Sequence, residues 1–190
     1  APETADPIAD PLSILTAPDG GTPRDAVNCT NNSVLTIAPG LYAKIRASGN
    51  CQLTLESGIY VIAGGGLQVS GNASITGNNV LLYNAGSFFP SPGGTFGSIQ
   101  LGGTGTFILS PLTTGAYNGV LIFQARDNTK PLSLSGNATG ITGTIYAPAA
   151  QLTLSGNGEL KSSIVVDTLR LTGSAASRLT AGDDDSSETD

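Results

Sequence analysis

The sequence has no His, no Trp and no Met, and only 5% of its residues are aromatic. The absence of histidine removes the commonest metal ligand and the side chain that most often serves as a general base. Charge is also scarce: Asp, Glu, Lys and Arg make up 12% of the chain, about half the usual share. Ordinary surface helices need many charged residues on their wet side, so a helical fold is excluded on supply. What remains for the surface is Ser, Thr, Asn, Gln and Gly, which suit strands and turns better than helices. No run of 18 apolar residues exists, so no transmembrane helix is expected. No signal peptide is visible, and the opening Ala1 reads as a processed or trimmed start.

The charges present are segregated. Residues 1–25 carry Glu3, Asp6, Asp10, Asp19 and Asp25 against Arg24, and residues 183–190 carry five acids and no base. The body between them holds four acids (Glu56, Asp127, Glu159, Asp167) and seven scattered bases. Nucleic-acid binding calls for a concentrated basic face with stacking aromatics, so no nucleic-acid partner is expected.

What is there is a repeat. Ser-Gly-Asn occurs at 48–50, 70–72, 135–137 and 155–157, with looser copies at 76–78 and 172–174. Alternating strands precede the later copies: Leu67-Gln68-Val69, Leu132-Ser133-Leu134, Leu152-Thr153-Leu154 and Leu169-Arg170-Leu171. A second strand type comes before those: Val120-Leu121-Ile122-Phe123, Thr144-Ile145-Tyr146-Ala147 and Ile164-Val165-Val166. Glycine spacings of 22, 20 and 17 residues mark the coils of a solenoid, and the 65 residues from Gly71 to Gly136 read as three more periods. In each coil two Leu point inward, a Ser or Thr points outward, and Gly-Asn turns the corner. The expected fold is therefore all-β: a right-handed parallel β-helix (β-solenoid) of about seven coils of roughly 17–22 residues. Leu134, Leu154 and Leu171 are expected in one inward stack. Residues 1–24 form an extended Pro-rich arm, 25–181 the solenoid and 182–190 an acidic tail.

Site chemistry is thin. Glycoside hydrolysis needs two carboxylates roughly 5–10 Å apart, and only Glu159 and Asp167 are close enough in sequence to be considered. Gly102-Gly103-Thr104-Gly105-Thr106 resembles a calcium-solenoid repeat but has Thr at the ligand position. The Asp183-Asp184-Asp185 run lacks the Gly and distal Glu of a calcium loop. No catalytic residue, cofactor or metal site is assigned, and no enzyme is expected. Cys29 and Cys51 are 22 residues apart, the distance from Gly49 to Gly71, which predicts adjacent rungs and a disulfide. A disulfide argues for an oxidising, extracytoplasmic setting. Four glycosylation sequons arise readily in an Asn- and Ser/Thr-rich chain.

Ala38-Pro39-Gly40-Leu41-Tyr42, the run Ser57 to Asn72, Gly119 to Gln124 and Gly143 to Ala150 resemble the exported β-helical domains of tight-adherence pilus-assembly-like proteins, as does Asp10-Pro11-Leu12. Weaker likenesses are to bacterial ice-binding domains and to bactofilins. The first resemblance implies surface display without catalytic residues. The function expected is a non-enzymatic extracellular or cell-surface structural or adhesive protein. End-to-end homo-oligomers would be joined through an arm whose apolar anchors are Ile8, Leu12, Ile14 and Leu15, the rival reading being an arm folded back as a cap onto its own first coil. A surface glycan or another cell-surface protein is a further possible partner. The alternative is an ice- or glycan-binding module, with Thr104-Gly105-Thr106 and Thr142-Gly143-Thr144 as short Thr units. The five tyrosines could form a glycan platform, although stacking inside the solenoid fits them better.

Overall fold

A computed structural model describes residues 10–136, 140–156 and 162–172. Within them the chain is a parallel β-solenoid of seven coils with three faces. The first coil carries β1 (Pro23–Arg24), β2 (Val27–Cys29) and β3 (Val34–Ile37). The second has β4 (Gly40–Tyr42), β5 (Ile45–Ala47) and β6 (Gln52–Leu55), and the third β7 (Gly58–Ala63), β8 (Leu67–Val69) and β9 (Ser74–Gly77). The fourth has β10 (Val80–Ala85), β11 (Ile99–Leu101) and β12 (Phe107–Leu109), and the fifth β13 (Val120–Gln124), β14 (Leu132–Ser135) and β15 (Gly140–Ile141). In the sixth and seventh coils, β16 (Thr144–Ser155) and β17 (Ile164–Thr172) each run through two faces. The first face stacks β1, β4, β7, β10 and β13, the second β2, β5, β8, β11 and β14, and the third β3, β6, β9, β12 and β15. Because β1 is already paired with β4, the solenoid begins at Pro23, two residues before the boundary expected from sequence.

The interior is built as the alternation requires. On the second face Ile45, Leu67, Ile99, Leu132 and Leu152 stack in register and are fully buried. Leu134, Leu154 and Leu171 do share one column. Leu171, however, lies on the last described coil and is 47% exposed, against 2% and 5% for the other two. Among the described residues Leu171 has one stacked neighbour, Leu154, where Leu154 has two.

The coils are less regular than the glycine spacing suggests. Paired residues on successive coils are 17 to 40 positions apart. The 65 residues from Gly71 to Gly136 are two coils, not three, because Gly103-Thr104 makes a corner that stands in for Gly-Asn. Gly71, Gly103 and Gly136 lie over one another at φ +72°, +109° and +79°. A Cβ on Gly103 would sit 2.0 Å from the Gly71 carbonyl oxygen, and one on Gly136 2.0 Å from that of Gly103. Only glycine permits both that φ and that approach. The extra length lies in segments 86–98, 110–119 and 125–131, all outside the stacked strands.

Cys29 and Cys51 are bonded, with Cα atoms 5.9 Å apart. The geometric reason differs from the one the spacing suggested. Between the first two coils the period is 18: Cys29 pairs with Ala47, and Val34 with Gln52. The cysteines therefore do not occupy equivalent rungs. Cys29 ends the second face of coil one, Cys51 precedes the third face of coil two, and the bond crosses the corner between them inside the core, with both residues buried. By chain entropy such a closure contributes about 3 kcal/mol.

Leu154→Ala is expected to cost about 2–5 kcal/mol, and Leu171→Ala roughly 1 kcal/mol, since half its side chain is already in water; urea unfolding of the two variants measures the difference. Reduction under native conditions should lower stability by about 3 kcal/mol, read as a shift of the urea midpoint on adding dithiothreitol.

Candidate functional site

The first face is apolar on both sides. All six residues of β10 and all five of β13 are buried, the pattern of a parallel sheet covered above and below. Inward residues such as Tyr60, Leu82 and Ile122 join the main core. Outward residues Val61, Leu81, Tyr83, Phe123 and Tyr146 form a second core. The aromatic rings pack edge to face, Tyr83–Phe123 at 5.0 Å and Phe123–Tyr146 at 5.2 Å between centroids. The roof over this second core comes from Leu12 and Leu15 of the arm, from Phe89, and from Leu112 and Tyr117 of the segment before β13.

The arm is held by one network. Asp10 starts a turn: one carboxylate oxygen accepts from the Leu12 N–H at 2.9 Å, and the Asp10 carbonyl accepts from Ser13 N–H. Pro11 suits the second position of such a turn. The other Asp10 oxygen accepts from the Tyr146 hydroxyl at 2.6 Å. Arg126 lies over the Phe123 and Tyr146 rings, 5.6 and 5.3 Å from their centroids. Its guanidinium donates to the Tyr146 oxygen and to the carbonyls of Leu12, Ser13 and Leu15 at 2.8–3.1 Å. Tyr117 donates to the Thr16 carbonyl. A planar fork with five donors can meet several carbonyls at once in this way.

Beside the arm, a cavity of about 300 Å³ opens between Ala17, Tyr83, Phe89, Phe123, Arg126 and Asp127. Its outer wall is the segment after β10, which contains the cis Phe89–Pro90 bond and is tied down where Gly93 N–H donates to Asp127 at 2.8 Å. The size lies at the lower end of small-molecule sites. Behind it, at the corner between the first and second faces, Asn84 donates to the Gln124 side-chain oxygen and to the Gly97 carbonyl, and Gln124 donates to the carbonyls of Asn128 and Lys130. Asn84 Oδ1 is buried without a hydrogen-bond partner.

A domain family described as a domain of unknown function, DUF7305, matches residues 18–181. The chain belongs to the DUF7305 family. No curated protein and no solved structure matches it. The DUF7305 range includes Arg126 and Tyr146 of the clamp and begins just after the turn that they hold.

The other anticipated residues are dispersed. Leu12 and Leu15 contact the second core, so within one chain the arm lies along the side of its own solenoid, over the fourth to sixth coils. Ile14 is 87% exposed at the crown of the turn, and Ile8 lies outside the described residues. Glu56 and Asp167 are isolated and exposed, and Glu159 lies outside the described residues. Tyr42 and Tyr60 stack inside the solenoid at 6.0 Å and donate to backbone carbonyls, including Ala38 and Glu56, four residues upstream of each. Tyr83, Tyr117 and Tyr146 belong to the outer core, so the five do not form one platform. Among the described residues no group of three or more His, Cys, Asp or Glu is placed to hold a metal.

A second array went unread in the sequence. Asn50 donates to Asn32, Asn72 to Asn50, and Thr104 to Asn72, making a ladder along one corner. Beside it on the third face Thr36, Thr54 and Thr76 are in register, and Thr54 and Thr76 are hydrogen-bonded at 3.4 Å. These threonines are 18 and 22 residues apart, so a search for Thr-x-Thr within one strand misses them.

Burial raises the pKa values of Tyr42, Tyr60, Tyr83 and Tyr146 above the ordinary 10.0, and at Tyr146 the hydrogen bond to the Asp10 carboxylate adds to it. Because the folded state holds these protons more tightly, their stabilisation is complete below pH 10 and is lost as pH rises past it. The urea midpoint should accordingly stay level up to about pH 9 and fall steadily above pH 10, with tyrosinate absorbance near 295 nm rising in step with unfolding.

Proposed function

We propose that the chain is a non-enzymatic structural or adhesive module of the cell exterior. The observation that carries the reading is the Cys29–Cys51 bond buried across the first corner of the solenoid: a disulfide of this kind persists in oxidising compartments and not in the cytosol. The double core adds support, because a face packed on both sides together with a polar ladder along a corner makes a rigid rod rather than a hinged cleft. No helix among the described residues is long and apolar enough to cross a membrane. A role in surface display agrees with the likeness of the glycine-tyrosine and Asp-Pro-Leu segments to exported β-helical domains. Surface biotinylation of intact cells, with blotting for the native protein, tests the location. Labelling is expected without lysis, and protein labelled only after lysis contradicts the proposal.

A binding role for the third face is the second reading, favoured by the Thr36–Thr54–Thr76 column beside the Asn ladder. It makes a three-rung polar column, continued by the exposed Ile108 on the next rung, of a kind suited to ice or an extended glycan. Thermal hysteresis and a glycan array separate these, and Thr54→Leu should abolish either activity while leaving the fold intact.

A further inference from the structure

We propose that the strip of the first face between Arg126 and Tyr146 is a peptide-recognition site for an Asp-Pro-Leu-x-x-Leu turn. In this structure residues 10–15 fill it in cis, and the same segment of a second copy is its partner in trans. The inference deepens the structural-module reading, which would survive its failure, since a lone monomer on the cell surface meets that reading and not this one.

The site is complete without the covalent link to its occupant. Among the described residues, every hydrogen bond from the solenoid to residues 10–16 comes from Tyr117, Arg126 or Tyr146, which belong to the fourth to sixth coils or the segments joining them. The arm joins the solenoid at the first coil, where the Thr22 carbonyl accepts from Leu41 N–H. What the site recognises is specific. Arg126 needs three carbonyls converging on one side, which a tight turn supplies and an extended strand does not. Tyr146 needs an acceptor at the start of that turn, and Asp10 serves with one oxygen while closing the turn with the other. Pro11 presets the turn, and leucines at the third and sixth residues of the motif reach the aromatic floor.

The connection favours exchange. About four rungs separate the first coil from Arg126, roughly 19 Å at 4.8 Å each. Residues 17–22 can span at most about 20–22 Å. The tether is thus close to taut in cis and gives the chain's own arm little advantage over another's. It contains Gly20-Gly21, with Gly21 at φ +65°, a place where the path can redirect at low cost. Exchange of an identical element between copies loses no contact. In the closed form Ile14 remains an apolar side chain in water, free to meet the second molecule that supplies or receives an arm.

The test uses the full-length chain with Leu12→Ser and Leu15→Ser, which weakens its own arm and leaves the recognition strip unaltered. The probe is a fluorescent peptide with the sequence of residues 10–18. Anisotropy should show saturable binding to this variant at least ten-fold tighter than to the unaltered chain, whose arm competes. Adding Arg126→Ala to the variant should weaken binding at least ten-fold. No difference between variant and unaltered chain, with both giving cooperative thermal melts, overturns the proposal. A second measurement does not depend on the variant folding. The unaltered chain is refolded at high concentration and passed over a sizing column with light scattering. A dimer that persists on dilution is expected, and monomer at every concentration overturns trans exchange.

Discussion

Every coil of this protein depends on the coil beside it. A single turn of about 20 residues with three strands of two to six residues cannot bury its own leucines; it can only place them where another turn covers them. The stack therefore has to be in register at every corner, and the corner glycines carry that requirement. At Gly71, Gly103 and Gly136 a side chain would collide with the carbonyl of the turn below, so the restriction is set by the neighbouring coil as much as by local φ. On the last described coil, at Leu171, the same inward position is half exposed.

The second constraint is that the first face has no polar side. Its outward residues are as apolar as its inward ones, so the solenoid needs a cover. The chain assembles that cover from segments distant in sequence: the arm, the Phe89 segment and the Tyr117 segment. Apolar packing by Leu12 and Leu15 is non-directional. The Arg126 fork and the Tyr146–Asp10 bond provide direction and fix which way the turn sits. The cavity beside Ala17 is where the arm and the Phe89 segment fail to meet over Tyr83 and Phe123.

How much of this could be read beforehand follows from which interactions are local. The alternation Leu-x-Leu and the recurring Ser-Gly-Asn are written within single coils, so the solenoid and its inward columns were legible. Coil length was not, because Gly103-Thr104 performs the same turn as Gly-Asn under a different spelling, and inserted segments stretch the count without disturbing the stack. The disulfide was foreseen through a coincidence of spacing, while its true path across a corner depends on a period of 18 that the glycines do not reveal. The arm was recognised as apolar and extended, but nothing in residues 1–24 names Arg126, which lies 111 to 114 positions beyond the carbonyls it binds. The only hint was negative: β10 and β13 contain no outward polar alternation, which signals a covered face without identifying the cover. The Thr column was hidden for a related reason, since its members are neighbours only after coiling.

The disulfide also makes the rod mechanically asymmetric. Backbone hydrogen bonds between rungs point along the solenoid axis, so a pull on the two ends loads them in tension and tends to peel coils one at a time. Force entering at the first coil reaches the second through the Cys29–Cys51 covalent link, and residues 30–50 are shielded from extension. About 70 Å of contour length is thereby withheld. Force entering at β17 meets no such link. Under load the molecule pays out chain from its C-terminal side while its first corner stays closed.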